Sequence, residues 1–131
     1  MNCSHCNTQV LRVPVPEEYA EYVPKDAPGV SICPTCLAMD PDEEPPAELP
    51  DFAKIGEAFP SDPDAAVPMA LGLGLLTSLA LYRQQITELF TAVEEAGTDP
   101  MLVMDRLSAT GSVDSQIDLQ GRKQQLEQLL E

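Results

Sequence analysis

Two cysteine pairs, Cys3 with Cys6 and Cys33 with Cys36, constrain this chain more than any other feature. Each pair has the spacing C-x-x-C, and 26 residues separate them. A two-residue spacer lets both sulfurs of a turn face one ion, so two such turns supply four thiolates in a tetrahedron. That is the closed arrangement of structural zinc sites, with no open position for a substrate. Pro34, inside Cys33-Pro34-Thr35-Cys36, restrains the second turn. A module of about forty residues is too small to hold a core unaided, and a metal supplies the missing staple. The expectation is one structural Zn2+ held by Cys3, Cys6, Cys33 and Cys36.

Other chemistry is open to the same residues. Iron uses the same ligands and would make an electron carrier resembling rubredoxin. In that family glycine usually follows each pair, whereas Asn7 and Leu37 stand here. A dithiol switch or two disulfides is a further alternative, but a matched second pair favours metal. His5 is the only histidine; it lies within the first turn, outside the ligand set unless it replaces a cysteine.

Proline and cysteine divide the chain. Twelve of the 13 prolines lie at or before Pro68, and all four cysteines lie within the first 36 residues. Residues 1–39 read as a zinc-ribbon-like module, 40–50 as a solvated proline and acid linker, and 51–131 as a helical domain. Within the module, Val10 to Val15 reads as a short strand that its prolines confine to a sheet edge. Pro16 to Val23 suits a helical turn or two, and Val30 to Ile32 a second strand. Asp51 to Phe59 suits a short helix with Phe52, Ile55, Ala58 and Phe59 on one face.

Beyond it, apolar side chains recur at Leu71, Leu75, Leu79, Tyr82, Ile86, Leu89 and Val93. Those steps predict one long helix over about 66–96, packed on another and capped by Gly97. Thr98-Asp99-Pro100 restarts a helix that buries Leu102, Val103 and Leu107 and ends at Gly111. A last helix opens at Asp114 or Ser115 and carries Ile117, Leu119, Leu126, Leu129 and Leu130. The fold class expected is α+β: short antiparallel strands about the metal, followed by a small helical bundle.

Charge narrows the partners. Twenty-two Asp and Glu oppose seven Lys and Arg, a formal −15 spread over the whole length. Phosphate contacts need a positive surface, so direct binding to nucleic acid or an anionic membrane is not expected. Ala65 to Tyr82 is 18 residues without a charge, but its apolar seam continues past Arg83, which favours a core helix over a membrane span. The amino terminus has neither a basic nor an apolar leader region, which points to the cytoplasm.

Three motifs weaken on inspection. Gly72-Leu73-Gly74 has Thr77 where a dinucleotide fingerprint needs its third glycine, and no strand precedes it. Asp40-Pro41-Asp42-Glu43-Glu44 lacks the glycine of a calcium loop. With one histidine, no nucleophilic triad assembles away from the cysteines, so no enzyme is expected.

With these residues laid out, the chain resembles an uncharacterised family of short haloarchaeal proteins described as having an N-terminal zinc ribbon. The resemblance rests on Cys3-Ser4-His5-Cys6, Val13-Pro14-Val15-Pro16 and Cys33-Pro34-Thr35-Cys36. It continues through Asp51-Phe52, Ala58-Phe59-Pro60, Leu71 to Leu76, Asp99 to Leu102, Asp105-Arg106-Leu107 and Gln124 to Leu130. It implies metal ligation by the four cysteines and supplies no activity to transfer. The function expected is a non-enzymatic, zinc-stabilised interaction or adaptor protein of a salt-adapted cytoplasm. Its partner would be another protein, or a second copy through the 66–96 helix. A zinc-ribbon factor of transcription or translation is the alternative, and the rubredoxin-like carrier the third.

Overall fold

The computed structural model describes residues 3, 7–23, 27–56, 59–76, 79–110, 124–125 and 128. Its architecture is α+β. Three short strands, β1 (Leu11–Pro14), β2 (Gly29–Ile32) and β3 (Met39–Asp42), form an antiparallel sheet in the order β1-β2-β3. Leu11 pairs with Ile32 and Val13 with Val30 across one ladder, and Val30 with Pro41 and Ile32 with Met39 across the other. The prolines of β1 and β3 sit on the two outer strands, where a missing N–H breaks no central ladder. A 3-10 helix, Glu17–Tyr22, links β1 to β2, and another, Phe52–Lys54, follows the sheet. Phe52, Ile55 and Phe59 are buried, with Phe52 and Phe59 stacked; Ala58 lies outside the described residues.

The sheet's two faces meet different partners. Leu11, Val13, Val30 and Ile32 point into the main core, which they share with the helices as far as Leu107. On the opposite face lie Arg12, Ser31 and Asp42. The stretch 40–50, expected as a solvated linker, departs from that reading here. Its first three residues belong to β3, and the rest folds back over the polar face. Pro45 lies so close over Gly29 that a Cβ there would stand 2.6 Å from it. The guanidinium of Arg12 donates to both carboxylate oxygens of Asp42, at 2.9 and 3.2 Å, and to the Glu44 carbonyl. Burial of Asp42 is sustained by these bonds together with the Glu44 N–H at 3.0 Å. An acid that finds an arginine no longer needs water. Glu43, Glu44 and residues 46–49 remain exposed, as their composition demands.

Helix α1 (Pro63–Leu75) starts with three favourable devices: Asp62 caps it by accepting from Asp64 N–H at 3.1 Å, Pro63 opens it, and Asp64 sits in its first turn. Residues 65–73 are all buried, so α1 is apolar around its circumference and occupies the centre of the molecule. Helix α2 (Leu79–Glu95) follows, with non-helical backbone at Tyr82. The single long helix expected over 66–96 is therefore two. A Cβ on Gly72 would fall 2.3 Å from the Phe90 ring, so α2 lies against α1. Eighteen residues along one straight helix would put those positions about 27 Å apart. Of the expected seam, Leu71, Leu75, Ile86, Leu89 and Val93 are buried, whereas Tyr82 is exposed. Gly72 thus serves close helix packing. No helix among the described residues is long and apolar enough to cross a membrane.

Gly97 ends α2 as expected. With φ +96° it lets Thr98 N–H reach the Val93 carbonyl at 3.1 Å and its own N–H reach that of Glu94 at 2.9 Å. This pair of bonds is a Schellman motif. Helix α3 (Pro100–Thr110) is capped by Asp99, whose carboxylate accepts from Met101 and Leu102 N–H at 3.0 and 3.3 Å. Val103 and Leu107 are buried, but Leu102 is exposed and Met104 takes its place in the core. Gly111 and most of the last expected helix, including Ile117, Leu119, Leu126, Leu129 and Leu130, lie outside the described residues.

Candidate metal centre

Two turns of the same construction carry the cysteines. In the first, Asn7 N–H donates to the Cys3 carbonyl at 2.9 Å, and Cys3 N–H donates to that of Thr8 at 2.8 Å. In the second, Leu37 N–H donates to the Cys33 carbonyl at 2.9 Å, and Cys33 N–H to that of Ala38 at 2.9 Å. The fifth residue of each turn has a left-handed backbone: φ is 56° at Asn7 and 66° at Leu37. Glycine would reach this conformation without strain. Asparagine tolerates it, while leucine adopts it at a cost of about 1–2 kcal/mol. The bonds closing each turn, and its left-handed fifth residue, are therefore present beside Cys3 and Cys33 despite the missing glycines. The repeated spacing was the legible signal; the identity of the fifth residue was not.

Strand β2 delivers Cys33 into this turn, where Thr35 and Cys36 N–H both donate to its sulfur at 3.4 Å. The Sγ atoms of Cys3 and Cys36, 33 positions apart in sequence, approach to 3.6 Å. All three sulfurs lie within 4.8 Å of one another and all three cysteines are buried, forming a small cluster with Val10 and Ala38 beside the main core.

The donor set can be tested against a metal on these distances. A zinc–sulfur bond of about 2.3 Å gives a tetrahedron whose sulfur–sulfur edge is about 3.8 Å, and a disulfide would require about 2.05 Å. The separation of 3.6 Å between Cys3 and Cys36 matches the edge of the tetrahedron. Buried, convergent and hydrogen-bonded, the sulfurs fit one ion that prefers thiolate ligands. Of the four cysteines expected as ligands, the structure brings together Cys3, Cys33 and Cys36; Cys6 lies outside the described residues, as does His5.

Two other titratable groups do structural work. Asp42, from the run that superficially resembles a calcium loop, has both oxygens engaged by Arg12, which holds its pKa below the usual carboxylate range. Tyr22 donates its hydroxyl to Glu88 at 2.7 Å, tying the first 3-10 helix to α2. Burial, then the carboxylate of Glu88, pushes its pKa upward.

No curated protein and no solved structure was found to match the chain. Its sequence matches one family over residues 2–130, and by that match the chain belongs to DUF6276, a family of unknown function.

Proposed function

We propose that this chain is a non-enzymatic interaction or adaptor protein whose sheet is braced by one structural zinc ion. Cys3, Cys6, Cys33 and Cys36 are its ligands, and the helices provide the surface for a protein partner or a second copy. One observation carries the reading: three buried sulfurs, from two segments far apart in sequence, lie within 4.8 Å of one another, with those of Cys3 and Cys36 at 3.6 Å, close to a tetrahedral edge. A closed thiolate set holds structure instead of activating substrate. The formal charge of −15 fits a cytoplasm rich in salt, where self-repulsion is screened and acidic surfaces keep proteins soluble.

Metal analysis of the purified full-length chain, with its visible absorption spectrum, is the direct test. One zinc per chain and a colourless solution support the reading. A coloured, iron-loaded protein would favour the electron carrier instead. Absence of stoichiometric metal from the natively folded chain would overturn the brace. Affinity capture from a high-salt lysate, treated with nuclease, then separates a protein partner from a nucleic-acid complex.

A further inference from the structure

We infer that occupancy of the cysteine centre is transmitted to the helical core through Leu37, so that metal binding and packing of the α1–α2 pair are one equilibrium. The inference rests on the metal reading above and extends it from the sheet to the helices. Leu37 follows Cys36 directly and closes the second turn through its N–H on the Cys33 carbonyl. Its φ of 66° lies where a leucine is strained, yet its side chain is buried in the main core. The residues on either side, Cys36 and Ala38, belong to the sulfur cluster instead.

Two residues further on, Met39 reaches α1. A Cβ on Gly74 would stand 2.4 Å from the Met39 sulfur, so this side chain lies directly on the helix backbone. Asn7, at the corresponding position beside Cys3, is exposed instead. Leucine in place of glycine or asparagine thus spends backbone strain on a side chain that joins the core. When the ligands are released, Leu37 is free to relax to negative φ. That rotation withdraws its side chain from the core and shifts Met39 against Gly74. The helical surface offered to a partner then exists in full only in the loaded protein.

The experiment uses the full chain in concentrated salt, with Zn2+ alone as the probe. Zinc content and thermal unfolding at 222 nm are followed for the wild type, Leu37→Gly and Met39→Ala. In the wild type, zinc loading raises the helical midpoint by about 10 °C or more, as expected for saturating binding to the folded state only. Both variants still take up one zinc, and the shift falls to less than half. Should Leu37→Gly fail to fold with or without zinc, Met39→Ala, which lies outside the turn, decides. A wild type that binds zinc while its helical midpoint stays fixed overturns the coupling and leaves the brace standing. The full shift in the variants that fold overturns it equally. A folded wild type that takes up no zinc at all instead removes the metal reading on which the coupling rests.

Discussion

Replacing Gly72 with alanine tests the packing of α1 on α2, and its sign is informative. An added Cβ would meet Phe90 Cε1 at 2.3 Å and Cδ1 at 2.9 Å. Carbon atoms in contact prefer about 3.5–4.0 Å, so more than an ångström must be found. Phe90 is fully buried and cannot swing into solvent. Overpacking of this kind costs about 1–3 kcal/mol. Against it stands a gain of about 1 kcal/mol from replacing glycine within a helix. With so severe an overlap the cost prevails, and Gly72→Ala is expected to destabilise by about 1–2 kcal/mol. In a single straight helix through residue 96, Phe90 would not face this position, and the same change would stabilise by about 1 kcal/mol. Urea unfolding followed by circular dichroism gives the sign. A double-mutant cycle with Phe90→Ala isolates the contact: in that background Gly72→Ala becomes stabilising, with a coupling of about 1–3 kcal/mol. Stabilisation by Gly72→Ala in the wild-type background would refute the packing of these helices.

Asp99→Ala removes the acceptor for two N–H groups at the start of α3 and is expected to cost about 1 kcal/mol in the same assay; Asp99→Asn retains most of it. Asp42 has a folded pKa below its unfolded value, so its contribution is present above about pH 4 and is lost as pH falls through the folded value. Asp42→Asn should therefore lower stability at neutral pH and flatten the acid limb of the stability curve, which chemical denaturation from pH 7 to pH 2 would reveal. If the acidity is an adaptation to salt, dilution to tens of millimolar salt should diminish the helical signal, because repulsion among 22 acids is no longer screened. Unchanged ellipticity on dilution would return the charge to the list of binding features.

Local signals in the sequence were reliable, and long-range ones were not. The turn at Cys33-Pro34-Thr35-Cys36, the edge prolines, the Gly97 stop and the Asp99 start each depend on residues within a few positions, and the structure forms all of them. The long helix failed for a different reason. Periodicity reports which face of a helix is apolar and carries no information on whether the chain runs on or turns back. Leu71 and Leu75 share a face with Ile86, Leu89 and Val93 in the continuous reading, and the same residues are buried in one core when the chain folds over. Leu102 was misplaced by composition: Pro100, Val103, Met104 and Leu107 have the spacing of one helical face, and Leu102 falls off it. The buried Asp42 was hidden because its partner Arg12 is 30 residues away. At the candidate metal centre, spacing singled out three cysteines that the structure brings together, while the route from Leu37 to the core required the backbone angle.

The sheet's outer prolines have a consequence for how this chain can meet others. Val15 N–H bonds to the Pro28 carbonyl, and Cys33 N–H to that of Ala38. By the alternation of an antiparallel ladder, the ring nitrogens of Pro14 and Pro41 then lie on the two free edges. Each edge lacks a donor where an added strand would need one. Three short strands with open margins would otherwise be a template for polymerisation, above all in a crowded cell. Here growth of the sheet is obstructed in both directions, and one of its faces is already covered by the chain's own acidic segment. Association by strand addition is disfavoured, which leaves helices and loops as the surfaces through which this molecule can be joined.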